Sequence, residues 1–302
     1  MKKKSQGIMQ PKQDRIFAVV DTILLALLFI IIAYPLYFVV IASISNPDLV
    51  NAGKVLLVPK DISFIGFKKV LSNANIQTGA LNTVIYMIGG TILNVFFTVL
   101  GAYALSVRFP GRKAVMSFMT FTMFFSGGMI PTYLVMKSLG LLDTRWVMMI
   151  PGLISVYNLI ITRTFIEYNI SHEMFEAAQI DGCNHTRFLF RIVWPLSGSI
   201  IAVIALYYGV GHWNSYMDGI LYLRNRKLFP LQLVLREILI LNQVSAAEMM
   251  STSDLEAMDN LQRVADTMKY ALIIITTVPM MVIYPFVQKF FVKGVMIGSV
   301  KG

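Results

Sequence analysis

One short stretch gathers most of the side chains equipped for chemistry. Cys183, the single cysteine, stands between Asp181 and His185, with His172 upstream. A carboxylate, a thiol and an imidazole in alternation are residue types that ligate zinc or support a nucleophile. The set follows no established ligand spacing, however, and His172 falls at the far end of the helix that leads to it, so metal and nucleophilic chemistry are set aside. One cysteine also excludes a disulfide framework. The third histidine, His212, lies in an apolar run beside Trp213, and an ionisable group in such a run faces a cavity or a partner. No Gly-x-x-x-x-Gly-Lys-[Ser/Thr] loop occurs anywhere, so the chain has no P-loop for ATP.

The elements that must carry these residues are membrane helices. Of 302 residues, 56% are hydrophobic and 14% charged, and the mean hydropathy is +0.67. A soluble chain carries about 25% charge. The net charge of +10 sits in short segments between apolar runs rather than on a nucleic-acid face. A bilayer core needs about 20 apolar residues in a helix. Six segments meet or approach that length: 16–42 (with Asp21 inside), 81–105, 114–135, 146–162, 194–217 and 270–288. The first has an apolar core too long for a signal peptide and is read as a retained helix. The expected fold is therefore all-α, a polytopic membrane protein of six transmembrane helices. Pro35, Pro131, Pro151, Pro279 and Pro285 lie within spans, and an ordinary packed bundle accommodates them. Ser126-Gly127-Gly128 permits close helix contact or a bend, with packing the preferred explanation.

Six spans place both termini on one side. With the termini inside, cytoplasmic segments hold 14 of the 26 Lys and Arg in the shorter total length, which favours a cytoplasmic N-terminal tail (1–15) and C-terminal tail (289–302). Segments 43–80 and 218–269 then lie outside, and the apolar-rich run 231–241 is expected along the membrane surface. Segment 163–191 lies inside. Within it, residues 171–182 read as a short helix, with Ser171 as N-cap, Glu173 and Glu176 where the dipole favours negative charge, and Gly182 as the stop. About ten helical residues span about 15 Å. Ala177 and Ala178 leave one face flat, beside Met174. A second helical run, 184–194, leads into the fifth span and ends before Pro195. The loop helix is either an amphipathic surface element or a docking knob for a cytoplasmic partner.

Glu176-Ala177-Ala178, Asp181-Gly182, Phe188, Ile192 and Pro195 reproduce the spacing of the EAA loop of ABC-importer permeases. Asn82-Thr83, Ala102-Tyr103-Ala104-Leu105, Trp213-Asn214 and the C-terminal run 294–302 extend the resemblance, which is nearest to carbohydrate permeases of the maltose type. One departure is Leu196-Ser197-Gly198-Ser199, where the loop often carries a second proline. The resemblance implies a type I ABC importer permease fold forming a single domain, 1–302, with a coupling loop at 163–195. It implies that Glu176, Ala177, Ala178, Asp181 and Gly182 dock on a separate ATPase, and that Gly298, Lys301 and Gly302 add a contact from the tail. This chain would then be no enzyme and bind no cofactor, with ATP and Mg on the ATPase. The implied partners are a second permease, an ATPase dimer and an extracellular lipoprotein solute-binding protein, assembled at a bacterial plasma membrane. The implied cargo is an oligosaccharide.

Sugars are recognised by aromatic faces and by polar groups that meet hydroxyls. The pathway candidates are Trp213, Asn214, Tyr216, Tyr207, Tyr208 and His212 in the fifth span, Tyr86 and Asn94 in the second, and Tyr157 and Asn158 in the fourth. The competing reading of each is an interfacial anchor or a bond to a neighbouring helix. A passive channel or an intramembrane enzyme remains the alternative class; no filter-like motif or charged ring supports the channel.

Overall fold

The computed structural model describes residues 12–238, 268–283 and 285. Among these the chain is all-α: α1 (Lys12–Ser43), α2 (Pro47–Asn51), α3 (Ile65–Ser72), α4 (Ala74–Ser106), α5 (Arg112–Phe124), α6 (Met129–Ser138), α7 (Val156–Asn169), α8 (His172–Ile180), α9 (His185–Leu196), α10 (Gly198–Trp213), α11 (Tyr216–Tyr222) and α12 (Met268–Ile283). Short 3-10 turns lie at Arg145–Met148 and Arg226–Leu228, and residues 231–238 are helical. Every one of the six apolar segments carries helix. Among the described residues two helices, the apolar part of α1 (Ile16–Ser43) and α4, are long and apolar enough to cross a membrane singly.

The chain divides into two compact units, residues 1–69 with 253–274 and residues 70–252 with 275–302. In the first, α1 leaves its apolar window wholly uncovered. Its end is tied down: Tyr37 donates its hydroxyl to the Leu57 carbonyl at 2.5 Å, and Phe38 meets Tyr270 edge to face at 5.9 Å. Ile41, Ala42, Val50 and Val55 make a small core there.

In the second unit α4 is the central post, packed chiefly against α10 and α7. Its buried residues recur every three or four positions, through Thr83, Tyr86, Gly90, Asn94, Thr98 and Ala102. Several are polar, as expected where the outer surroundings are apolar and polar groups find partners on neighbouring helices. The Val99, Ala102, Leu159, Phe188, Val193 and Ile204 side chains fill the space between α4, α7, α9 and α10.

Four boundaries differ from the sequence expectation. The third segment is not one packed span: the chain unwinds over 125–128, and α5 and α6 meet at 114°, so Ser126-Gly127-Gly128 marks a bend. The fourth helix starts only at Val156, because Pro151-Gly152 interrupts the chain after a 3-10 turn. It then runs on to Asn169, which takes Arg163 and Glu167 out of the loop and into the helix. The run before the fifth span does not stop at Pro195. A π-turn at Leu189–Val193 absorbs the missing proline N–H, the helix reaches Leu196, and the 81° turn falls at Ser197. The run after residue 230 packs inward in its described part: Leu231, Leu233, Val234 and Leu235 are buried, and Leu231 packs on Gly79 of α4.

Candidate functional site

Helix α8 is capped as its sequence requires. Ser171 Oγ accepts the Met174 amide at 3.3 Å. At the far end Gly182 takes φ +74°, its amide donates to the Gln179 carbonyl, and the Cys183 amide donates to Ala178, each at 2.9 Å. This left-handed closure satisfies carbonyls that the helix end would leave bare, and a residue with a Cβ adopts it at a cost.

Two faces of α8 are distinct. Phe175 and Ala178, one turn apart, face inward; Ala178 therefore packs on the core rather than flattening the outer face. The Phe175 ring lies on His185 at 4.6 Å and against Phe188 edge to face at 5.0 Å. His185 Nδ1 shares a 3.0 Å hydrogen bond with the Tyr103 hydroxyl of α4. Outward stand Glu173, Met174, Glu176, Ala177 and Ile180, with Asp181 and Gly182 exposed beyond them. Ile180 is 87% exposed, an apolar side chain with nothing over it.

Behind the helix, Glu167 pairs with Arg112 and, at 2.8 Å, with Arg163, while Arg163 Nε donates to the Leu105 carbonyl. One carboxylate thus joins the ends of α4, α5 and α7. These residues, with Tyr103, His172 and Phe175, border a cavity of about 380 Å³ beside α8.

The pathway candidates separate into two groups. Several are committed to bonds between elements. Tyr86 donates to the Leu228 carbonyl at 2.7 Å, and Asn82 holds the Lys227 and Phe229 carbonyls, so α4 captures a stretch of irregular backbone. Asn94 donates to the Gly152 and Leu153 carbonyls and meets His212 Nε2 at 2.8 Å through its oxygen. Tyr208 shares a 2.7 Å bond with Thr98 and accepts the Ser155 amide at 2.9 Å. Trp213 Nε1 donates to the Thr276 carbonyl at 3.1 Å. Asn158 is buried.

The others are open. Tyr157 is 51% and Tyr207 42% exposed, their rings 6.4 Å apart. Tyr216 and Asn214 are exposed, the latter donating to the Val210 carbonyl. Two cavities draw part of this set together. One of about 220 Å³ is lined by Asn94, Tyr207, Tyr208, His212 and Asp218; a second, about 490 Å³, by Tyr207, Trp213, Asn214, Gln232 and Thr277. Tyr86, Tyr157, Asn158 and Tyr216 line neither. The tail residues Gly298, Lys301 and Gly302 lie outside the described residues.

The family model described as binding-protein-dependent transport system inner membrane component matches residues 94–297. The chain belongs to that family. It is 40% identical to the polygalacturonan/rhamnogalacturonan transport system permease protein YtcP of Bacillus subtilis over 96% of this chain and all of that one. It is 37% identical to Protein LplC of the same organism, over 96% of this chain and 97% of the other. Among solved structures, a bacterial ABC transporter involved in the import of the acidic polysaccharide alginate superposes with a TM-score of 0.84 at 33% identity, covering 94% of this chain and 99% of that one.

A transport permease needs no catalytic constellation of its own, and neither the channel nor the enzyme alternative is favoured. In this permease the sequence reading missed Phe175, His185 and Tyr103 as the mounting of α8, because they meet only through tertiary packing. It also missed Ile180, although its place one turn after Glu176 and Ala177 put it on the outward face. Gln232 and Thr277 carried no signal, since isolated polar residues in apolar runs have no period.

Proposed function

We propose that this permease forms one half of the translocation pathway of an ATP-driven oligosaccharide importer, with both termini cytoplasmic. Its partners are a second permease, an ATPase dimer that carries ATP and Mg, and an extracellular lipoprotein that delivers the sugar. The observation that carries the coupling role is α8: a capped, rigid helix whose outer face is uncovered and whose inner face is bolted by Phe175 to α9 and α4. Glu176, Ala177, Asp181, Gly182 and Ile180 meet the ATPase, with Ala178 setting the depth of the helix from behind and the tail residues Gly298, Lys301 and Gly302 adding a second contact. Docking energy that differs between two states of the ATPase is what shifts the permease between outward and inward access.

The cargo reading is supported by the transport system named for the 40% identical relative and by the polysaccharide named for the solved neighbour. Tyr207, Tyr157, Tyr216, Asn214 and His212 offer the aromatic faces and polar groups that sugars use. The test is purification of the tagged permease from its own membrane in mild detergent. Recovery of a second permease, an ATPase and a lipoprotein, with ATPase activity stimulated by oligosaccharide, is the expected result. Recovery of the chain alone from membranes where other importers stay intact overturns it.

A further inference from the structure

Two turns, at 143–145 and 222–227, are stapled together. Asp143 Oδ1 accepts the amides of Arg224 and Asn225 at 2.9 and 2.8 Å, and its own amide donates to the Tyr222 carbonyl at 2.9 Å. Asn82 of α4 holds the Lys227 carbonyl at 2.7 Å and accepts from Arg145 Nη2 at 3.5 Å. Asp143 takes φ +58° to make this staple, a strained setting for a residue with a Cβ. The result is a built surface that displays Arg145, Arg224, Arg226 and Lys227, all exposed. Glu237 answers Arg226 at 3.5 Å. Arg145, Arg224 and Lys227 have no ion-pair partner among the described residues; Asp143 is spent on backbone amides, and Asp218 stands on the wall of the neighbouring cavity. Val147 and Met148, which follow Arg145, line the 220 Å³ cavity with Tyr207 and His212.

We propose that Arg145, Arg224 and Lys227 form an outer basic rim that receives the carboxylates of a uronic-acid oligosaccharide on its way to that cavity. The inference rests on the oligosaccharide-importer reading and on an outward-facing 218–269 segment. Unpaired cations at the mouth of a path concentrate an anionic solute and orient it, and guanidinium groups match carboxylates in geometry. The rim agrees with the acidic polymers named for the two relatives.

The test uses the complete importer in proteoliposomes and two probes, trigalacturonic acid and its methyl ester, which differ in charge but little in shape. Arg145, Arg224 and Lys227 are changed together to Gln, and Arg145 and Arg224 separately to Lys. In the Gln variant the preference for the acid over the ester falls roughly tenfold at low salt, as expected for three exposed charge contacts, and the Lys variant keeps most of it. High salt erodes the wild-type preference in the same direction. An unchanged preference overturns the rim, as does an equal loss for both probes accompanied by weaker attachment of the solute-binding protein, which assigns the cations to that protein. Transport of the ester alone by the wild type overturns the rim and leaves the importer reading standing. Transport of no oligosaccharide at all overturns both.

Discussion

Phe175 of α8 lies on the imidazole of His185, planes 23° apart, and that imidazole reaches the Tyr103 hydroxyl of α4. A displacement of α8 therefore arrives at the central post through rings in contact, without crossing a slack loop. Stacked and edge-to-face aromatic pairs contribute about 0.5–1.5 kcal/mol each beyond their buried area. Phe175→Ala should leave the permease in the membrane, lower its melting temperature slightly, and cut transport-coupled ATPase stimulation several-fold. Phe175→Tyr should retain most of it. Equal coupling in wild type and Phe175→Ala would show that α8 is held by other contacts.

The outer face of α8 gives a sharper expectation. Ile180→Asp places a charge where the proposed docking seats an apolar side chain, and Glu176→Lys reverses the charge beside it. Both should reduce ATPase recovery in copurification by about tenfold, with unchanged expression, since neither side chain is buried. Gly182→Pro should uncouple more fully: its ring forbids φ +74° and removes the amide bonded to Gln179. Normal transport by this variant would refute the docking assignment.

Gly90 and Gly211 make a matched pair. A Cβ at Gly90 would stand 2.3 Å from His212 Nε2, so Gly90→Ala must push the ring away and break its bond to Asn94. A loss of about 2–3 kcal/mol follows from overpacking and one lost buried hydrogen bond. At Gly211 a Cβ meets nothing within 4 Å, and Ala there should stabilise the helix by about 0.5–1 kcal/mol. Thermal melts of the two variants in one detergent would read the difference; equal melting temperatures would contradict the packing.

The Asp143 carboxyl is held below the usual carboxylate range, first by the Asn225 amide and then by that of Arg224. A depressed pKa means the staple contributes its charge-assisted bonding above about pH 4, the ordinary aspartate value, and loses it as pH falls through the lower folded value. Amide exchange of 222–227 should therefore accelerate below that point. Asp143→Asn, which keeps an acceptor but no charge, should flatten the pH dependence, and an unchanged acid response in it would refer the effect elsewhere.

Ser197 is buried at the 81° turn, and its hydroxyl has no hydrogen-bond partner among the described residues. Removing an unsatisfied group is close to neutral or favourable. Ser197→Ala should match or exceed wild-type stability, by up to about 1 kcal/mol, and a clear loss in melting temperature would show that the hydroxyl has work at the bend.

What was legible in the sequence was local. The cap at Ser171, the stop at Gly182 and the six apolar segments are written in neighbouring residues, and the structure carries helix in each. Helix α7 overran its expected end because nothing at Arg163 or Glu167 breaks a helix; their charges are met by Arg112 and by each other, a partnership set by tertiary approach. The third segment read as one span with packing preferred at Ser126-Gly127-Gly128, because that triplet permits close helix contact as readily as the bend it makes. Tyr86 and Asn94 looked like solute contacts because a polar residue in an apolar helix advertises a need and not its recipient. Here the recipients are carbonyls of irregular backbone far along the chain, and carbonyls leave no mark on composition.

Asn94 spends its amide on Gly152 and Leu153 and its oxygen on His212, whose ring occupies the space Gly90 leaves. Aspartate would lose the donor, glutamine would overshoot, and any larger residue at position 90 would evict the imidazole. Each of these changes removes a bond or a fit from the set. Tyr157 and Tyr216 are exposed and stand outside this set. On the proposed cargo reading, a change of solute would alter those exposed rings first and leave the lock intact.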